Sequence, residues 1–273
     1  MEIRDLCFAE SPNPVIFESL INMMIDVNAC VGNWVFRPLP ISSPPELSKM
    51  LSDEGIGKAL VSSIEGIFYD DPQLANEFFF DTIADLPSLM PVAVLNPNLP
   101  NWEKSLNKSY ESEIKAIKLY PNYHRYNIGD AKALLEQAGE MDIPAIIQLR
   151  VQDVRAQNPV CIVPDVDVKK VVEGIAELPK TSFILGGIKW NEAQSMASVI
   201  KELENVWIDI SNAEYIDVLR RLIGIYGSEK LLFGTHAPFF VIRSAILKLR
   251  EAELSDNEFK LITETNARNI FNL

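Results

Sequence analysis

A short apolar segment near the start of the chain carries small polar or reactive side chains at every second position. It spans residues 24–32 and contains Asp26, Asn28 and Cys30. Side chains alternate between the two faces of a strand, so these three would share one face and the apolar residues between them the other. Cys30 is a candidate nucleophile, and Asn28 is a candidate hydrogen-bonding group. An isolated cysteine is also often a small buried hydrophobic residue, so both interpretations of Cys30 stay open.

Polar side chains also stand where later strands are expected to end. They are Lys118 and Tyr120, Gln148 and Arg150, Asp209, and His236. His124 lies in the loop after the fourth strand. The carboxyl ends of all strands in a parallel barrel open at one mouth, so these side chains would converge there. His236 is the candidate general acid or base, and it could activate the Cys30 thiol.

The cationic residues of this group predict the charge of the ligand. Lys118 stands in the middle of an apolar strand, where it needs a carboxylate partner, such as Asp26 or Asp209, or a chemical role. Arg150 and His124 would add further cationic groups, and arginine and lysine bind carboxylates through charge-assisted hydrogen bonds. We therefore predict a small, anionic substrate. The predicted catalytic residues are Cys30, Lys118 and His236, and the predicted substrate-binding residues are Asn28, Tyr120, His124, Gln148, Arg150 and Asp209.

The elements that would position these residues alternate along the chain. Strand-like apolar segments follow the first one at 58–62, 89–95, 116–120, 145–149, 182–185, 206–210 and 231–234. Segments with helical spacing lie at 72–86, 102–111, 130–141, 167–178, 191–203, 212–226, 238–252 and 256–271. Alternation predicts a parallel sheet, and about eight strands is the number that closes a (β/α)8 TIM barrel. No glycine-rich phosphate loop favours an open sheet instead. We predict one barrel domain over residues 1–273, with 1–23 as a lead-in.

The composition excludes several classes of partner. The formal net charge is -13, whereas binding to nucleic acid or anionic lipid needs a surplus of lysine and arginine. No apolar segment is long enough to cross a bilayer, and no secretion signal is apparent. Three widely spaced cysteines do not make a disulfide framework. We therefore predict a cytoplasmic protein with no nucleic-acid or membrane partner.

Aromatic side chains follow the first and the last predicted strands, which adjoin in a closed barrel. They are Trp34, Phe36, Phe239 and Phe240. They could form the apolar wall of a ligand pocket. They could equally pack the loops or bury a contact between two copies of the chain, so a homodimer is among the expectations.

Five segments share their order and spacing with one enzyme family. They are 25–32 (IDVNACVG), 118–121 (KLYP), 143–148 (IPAIIQ), 183–187 (FILGG) and 231–238 (LLFGTHAP). These segments resemble the amidohydrolase-related TIM-barrel hydrolases, whose first strand follows the pattern I-D-x-H-x-H-x-G. The segment 266–271 (NARNIF) is similar to the closing helix of that family. The resemblance covers nearly the whole chain and implies a TIM barrel and a small-molecule hydrolase.

The resemblance also implies where metal ligands would stand. In metal-dependent members the first strand supplies two histidines, the fifth and sixth strands one each, and the eighth strand an aspartate. The matching positions here hold Asn28, Cys30, Gln148, Gly187 and His236. Neutral amides are poor zinc ligands and glycine offers no side chain, so we predict no metal cofactor. A mononuclear zinc site rebuilt on Cys30 and His236 is the alternative.

Two functions remain open at this point. We predict an amidohydrolase-related hydrolase that acts, without metal, on a small anionic lactone, cyclic ester or amide. His236 would be its general acid or base, and Arg150, Lys118 and Gln148 would hold the carbonyl and the developing oxyanion. The alternative is a catalytically inactive pseudoenzyme that kept the barrel and binds a metabolite or a protein partner.

Overall fold

The computed structural model describes residues 23–273, in which eight strands alternate with helices. The strands are β1 (Met24–Val31), β2 (Ile56–Ser63), β3 (Leu89–Val94), β4 (Ala116–Leu119), β5 (Ala145–Gln148), β6 (Phe183–Gly186), β7 (Val206–Asp209) and β8 (Leu231–Leu232). The α-helices are α1 (Pro44–Asp53), α2 (Pro72–Ile83), α3 (Trp102–Glu111), α4 (Lys132–Glu140), α5 (Val168–Ile175), α6 (Trp190–Ser195), α7 (Ala197–Ile200), α8 (Val218–Tyr226), α9 (Ile242–Glu251), α10 (Asp256–Lys260) and α11 (Asn266–Phe271). Except for Met23, the predicted lead-in lies outside the described residues, so a single domain over 1–273 stays a prediction.

The strands form one parallel sheet in the order β1 to β8. The sheet closes where β1 meets the segment that follows β8. Val27 N donates to Phe233 O at 2.9 Å, and Cys30 N donates to Ala237 O at 2.8 Å. This arrangement confirms the predicted (β/α)8 TIM barrel. No helix among residues 23–273 is long and apolar enough to span a membrane.

Strand β1 does not keep the strict alternation that the sequence predicts. Its register against β2 shifts between Asp26 and Ala29. Ile25 and Val27 pack in the barrel interior with side chains of β2, β6 and β8, whereas Ala29 packs in the cluster between the sheet and the helices. The irregularity places two successive residues, Val27 and Asn28, on the inner side. The prediction that the apolar residues of β1 share one face is therefore wrong.

The barrel interior has an apolar floor. Most strands contribute to this cluster, which includes Leu60, Val92, Ile146, Ile184 and Leu232, and α11 adds Phe271. The next inward-facing position along β4, β5 and β7 is polar in each case, because side chains two residues apart share a face. The floor therefore lies directly beneath a layer of polar side chains.

Helix α5 shows how the sequence sets the outer elements. Its apolar residues Val168, Val171, Val172 and Ile175 recur at helical spacing, and all four are buried. Asp167 caps the amino end by accepting hydrogen bonds from Lys169 N at 3.0 Å and Lys170 N at 3.4 Å. The helix therefore packs one face on the barrel and exposes its lysines.

Candidate functional site at the carboxyl end of the barrel

Six polar or charged side chains meet in one layer above the apolar floor. They are Asp26 and Asn28 of β1, Lys118 of β4, Gln148 of β5, Asp209 of β7, and His236 after β8. Each is at most 2% exposed. Buried charges are costly unless they are paired and hydrogen-bonded, so the partners of each group decide what this layer can do.

Asn28 joins two charged groups across the barrel. Its Oδ1 accepts a hydrogen bond from Lys118 Nζ at 2.7 Å, and its Nδ2 donates to Asp209 Oδ2 at 2.6 Å. An ammonium only donates and a carboxylate only accepts, so this orientation of the amide satisfies both. Lys118 thus binds a neutral amide, where the sequence suggested a carboxylate. Burial lowers the pKa of Lys118, and the charges of Asp209 and Asp26 oppose that shift.

The two buried carboxylates are engaged by the protein itself. Asp209 accepts hydrogen bonds from Ser211 N at 2.8 Å and Ser211 Oγ at 2.7 Å, in addition to Asn28. Asp26 accepts from Asn28 N at 2.9 Å, from Thr235 N at 3.0 Å and from Thr235 Oγ1. Burial raises the pKa of Asp26 to about 6, although the Thr235 hydroxyl opposes the shift. The predicted site did not include Thr235, which directly precedes His236, or Ser211, which stands two residues after Asp209.

Two glycines leave the space that this layer needs. A Cβ at Gly234 would lie 2.1 Å from Asp209 Oδ1, and a Cβ at Gly186 would lie 2.8 Å from Gln148 Oε1. A larger residue at either position would displace the carboxylate or the amide. The glycines of β6 and of the segment after β8 are therefore part of the site.

His236 is fixed by hydrogen bonds at its ring. Nε2 lies 2.6 Å from Val151 O, which places the proton on Nε2 and leaves Nδ1 as an acceptor, 3.5 Å from Gln148 Nε2. Gln148 Nε2 also donates to Arg150 O at 2.7 Å, and its Oε1 is buried without a partner among the described residues. Burial, with a contribution from Lys118, lowers the pKa of His236 to about 3. The imidazole is therefore neutral near neutral pH.

Cys30 lies in an apolar cluster with Trp34 and Tyr120. Its thiol donates to Ala237 O at 3.3 Å. Among the described residues, no hydrogen bond joins this thiol to the ring of His236. Burial raises the pKa of Cys30 to about 12, against the opposing charge of Lys118. The thiolate is the nucleophilic form, so this environment does not activate Cys30.

Arg150 is the buried member of a partly exposed cluster of ion pairs. It is 2% exposed, its Nε lies 3.0 Å from Asp165 Oδ2, and it also forms an ion pair with Glu192 and a hydrogen bond to Gly187 O. Lys189 Nζ lies 2.8 Å from the same Asp165 oxygen. The cluster fixes the loop at 151–166 to the start of α6, and it already neutralises the arginine that the sequence assigns to substrate binding.

An aromatic cap closes the carboxyl end of the barrel. We give this name to Trp34, Phe36, Phe68, Tyr123 and Phe239. The Trp34 ring centroid lies 4.9 Å from that of Phe239, 5.0 Å from Phe68, 5.6 Å from Phe36 and 6.2 Å from Tyr123. Sequence reasoning found three of these residues but missed Phe68 and Tyr123, which follow β2 and β4. The cap packs loops against one another over the polar layer.

Tyr120 and His124 lie on the β4 side of this cap. Tyr120 is buried, and its ring centroid lies 5.7 Å from Lys118 Nζ. His124 is half-buried, its Nε2 lies 3.2 Å from Gly66 O, and burial lowers its pKa. His124 therefore contacts the loop after β2, and its role in substrate binding stays a prediction.

The sequence matches a known family over most of the barrel. The family model for amidohydrolases matches residues 88–273, which is more than half of the chain. The chain belongs to the amidohydrolase family. A search of curated proteins found no match. The matched range contains β4, β5 and β7, which supply Lys118, Gln148 and Asp209, and it also contains His236 after β8.

Solved structures of several enzymes share this amidohydrolase barrel. The 5-carboxyvanillate decarboxylase from Sphingomonas paucimobilis is 13% identical, with a TM-score of 0.75 over 92% of this chain and 99% of that chain. A dihydroxybenzoic acid decarboxylase from Polaromonas sp. JS666, with bound manganese and 2-nitroresorcinol, is 15% identical, with a TM-score of 0.69 over 92% and 97%. A probable 2-pyrone-4,6-dicarboxylic acid hydrolase from Acinetobacter baumannii, with bound citric acid, is 14% identical, with a TM-score of 0.64 over 92% and 100%. At these identities the likeness shows the fold alone.

The manganese in one of these barrels contradicts the prediction that no metal cofactor takes part. A bound divalent ion needs about three converging donor side chains. Within residues 23–273, no three His, Cys, Asp or Glu side chains come together as a group that could hold one. Asp209 accepts hydrogen bonds from Asn28 and Ser211, and Cys30 stays a thiol. In this arrangement the strand-end residues do not fit a metal ion.

Proposed function

We propose that this member of the amidohydrolase family is a binding protein whose barrel centre does not carry out hydrolysis. The supporting observation is that the polar side chains expected to act on a substrate already bind one another. Asn28 joins Lys118 to Asp209, and Arg150 is paired with two carboxylates. General acid–base catalysis needs a group that can reach the proton it transfers. The role left to the barrel is to bind a metabolite or a protein partner.

The protonation states of the two candidate catalytic residues support the same proposal. A histidine whose pKa is about 3 is a weak base, and a cysteine whose pKa is about 12 is a thiol near neutral pH. Effective catalytic groups have pKa values near the working pH. Neither His236 nor Cys30 meets that condition in this environment.

A second candidate function is hydrolysis of a small anionic lactone, cyclic ester or amide. One observation favours it: Gln148 Oε1 is buried without a described partner, on the same amide whose Nε2 lies 3.5 Å from the Nδ1 acceptor of His236. An unpaired buried polar atom costs about 1–3 kcal/mol, and such atoms need an explanation. In this candidate Nδ1 of His236 would take a proton from water, and Lys118 would stabilise the oxyanion.

A turnover screen separates the two functions. The purified chain is incubated with acidic lactones, cyclic esters and amides, with and without Mn²⁺, because one protein with this fold holds manganese. The binding-protein proposal expects no turnover above that of the His236→Gln variant under either condition. Turnover that falls about 100-fold in a correctly folded His236→Gln variant would establish hydrolysis and overturn the proposal.

A further inference from the structure

A groove of about 320 Å³ lies outside the barrel mouth, between the loops that follow β4 and β5. One wall comes from residues 121–128 and the other from residues 164–171, which include the start of α5. None of the six side chains of the polar layer lines it. The groove is therefore a separate concave surface, accessible without opening the barrel.

Arg125 and Lys170 supply positive charge to this groove. Both are exposed, and neither forms an ion pair with any of residues 23–273. The two carboxylates that also line the groove form no ion pair with either cation. Asp165 pairs with Arg150 and Lys189, and Asp167 caps α5. Arg125 stands on one wall and Lys170 on the other, so each is free to donate to an anion held between the walls.

The same groove has an apolar surface. Pro121, Ile128, Val166 and Val171 line it. Tyr126 also lines it, is only 8% exposed, and has a hydroxyl without a hydrogen-bond partner in the described chain. Small-molecule sites typically combine an apolar lining with a few polar or charged groups that fix the ligand. The two cations suit a phosphate or carboxylate, and the apolar wall suits a ring or short chain.

We propose that this groove binds a small organic anion in which a phosphate or carboxylate is attached to an apolar ring or chain. Arg125 and Lys170 hold the anionic group, and the prolines and valines of the walls cover the apolar part. The proposal extends the binding function argued above to a site of its own. It does not depend on whether the barrel centre is catalytic, because no residue of the polar layer takes part.

Isothermal titration calorimetry of the full chain with four small-molecule probes tests the proposal. Phenyl phosphate and benzoate carry both an anion and a ring, whereas inorganic phosphate and phenol each carry only one. At least one of the first two should bind about tenfold more tightly than either of the others, and the tighter of the two identifies the anionic group. If neither phenyl phosphate nor benzoate binds, or if inorganic phosphate binds as tightly as both, the proposal is wrong.

A pair of double variants tests the two cations. Arg125→Gln with Lys170→Gln should weaken binding of the better probe about tenfold or more. Arg155→Gln with Lys169→Gln is the matched control, because it removes the same charge from exposed neighbours that pair with Asp153 and Glu173 and do not line the groove. An equal loss of affinity in both variants would show a non-specific charge effect and overturn the site. The calorimetric experiment measures binding and not turnover, so a negative result for the groove would leave the turnover screen of the barrel centre unaffected.

Discussion

The side-chain amide of Asn28 connects the ammonium of Lys118 to the carboxylate of Asp209 through hydrogen bonds of 2.7 and 2.6 Å. An amide is suited to this place because it accepts from the cation and donates to the anion at the same time. The buried cation and anion are thereby satisfied without direct contact. This link holds β1, β4 and β7 together inside the barrel.

Replacing Asn28 by leucine should destabilise the protein strongly. The leucine has a similar volume, but it leaves an ammonium and a carboxylate buried with one partner fewer each. Removing one partner of a buried charge typically costs about 3 to 5 kcal/mol, and we expect a loss of this order in the free energy of unfolding, measured with urea. Asn257→Leu, on the exposed side of α10, is the control and should change stability by less than about 0.5 kcal/mol. Equal effects of the two substitutions would contradict the assigned role of Asn28.

Asp26 should make the protein less stable as the pH rises. Its pKa is about 6 in the folded chain against 3.8 for an ordinary aspartate, so folding favours the protonated form. Stability from this group is fully present below about pH 3.8 and is lost as the pH rises through 6. Asp26→Asn should remove that loss. The free energy of unfolding of the variant, relative to the natural chain, should therefore increase between these two pH values in denaturant titrations.

The contribution of His236 to stability should depend on pH in the opposite direction, over nearly the same pH range. Its pKa is about 3 when folded against 6.5 for an ordinary histidine, so folding favours the neutral form. The stability that this group contributes is present above pH 6.5 and is lost as the pH falls towards 3. His236→Gln should lose less stability on acidification than the natural chain. A parallel decline of both proteins would show that the ring is not held neutral by burial.

Cys30 should resist alkylation in the folded protein. Its thiol is buried and its pKa is about 12, whereas Cys161 is half-buried in the loop at 151–166. Mass spectrometry after treatment with iodoacetamide at neutral pH should find Cys161 modified well before Cys30. Both should react once the chain is unfolded in urea. Rapid modification of Cys30 in the native state would restore it as a candidate nucleophile.

The ion-pair cluster should hold the loop at 151–166 in place. Asp165→Asn weakens the contacts to both Arg150 and Lys189. A partly exposed pair contributes about 1 kcal/mol, so local opening should become roughly fivefold more frequent. Trypsin should then cleave faster after the exposed Arg155 of this loop. Glu177→Gln, which removes an exposed pair with Lys132, should leave the cleavage rate unchanged.

The sequence predicts the barrel well because apolar strand segments and amphipathic helices alternate, and local patterns suffice for both. Helix 102–111 matches α3 at both ends. Other boundaries depend on local geometry that composition does not fix. The predicted helix 212–226 begins only at Val218, because Asp217 adopts a left-handed conformation with φ of 55°. The predicted helix 256–271 is interrupted by a π-helical turn at Leu261–Thr265.

The candidate site could be predicted only as a list of residues. Strand ends converge in any barrel, so the meeting of Lys118, Asp209 and His236 follows from topology. Their partners do not, because Asp165 reaches Arg150 from a loop and Glu192 reaches it from helix α6, and no strand pattern specifies either contact. The protonation states of Asp26, Cys30 and His236 follow mainly from their burial, and the residues adjacent in sequence do not reveal how deeply a side chain is buried.

The hydrogen bonds between β1 and residues 233–237 also determine when the barrel can be completed. During synthesis, the first strand leaves the ribosome more than two hundred residues before its last neighbour. Until then β1 remains an unpaired sheet edge, and Asp26 lacks the hydrogen bonds of Thr235. Contacts so distant along the chain form slowly, so nascent chains of this protein expose an edge that chaperones can bind.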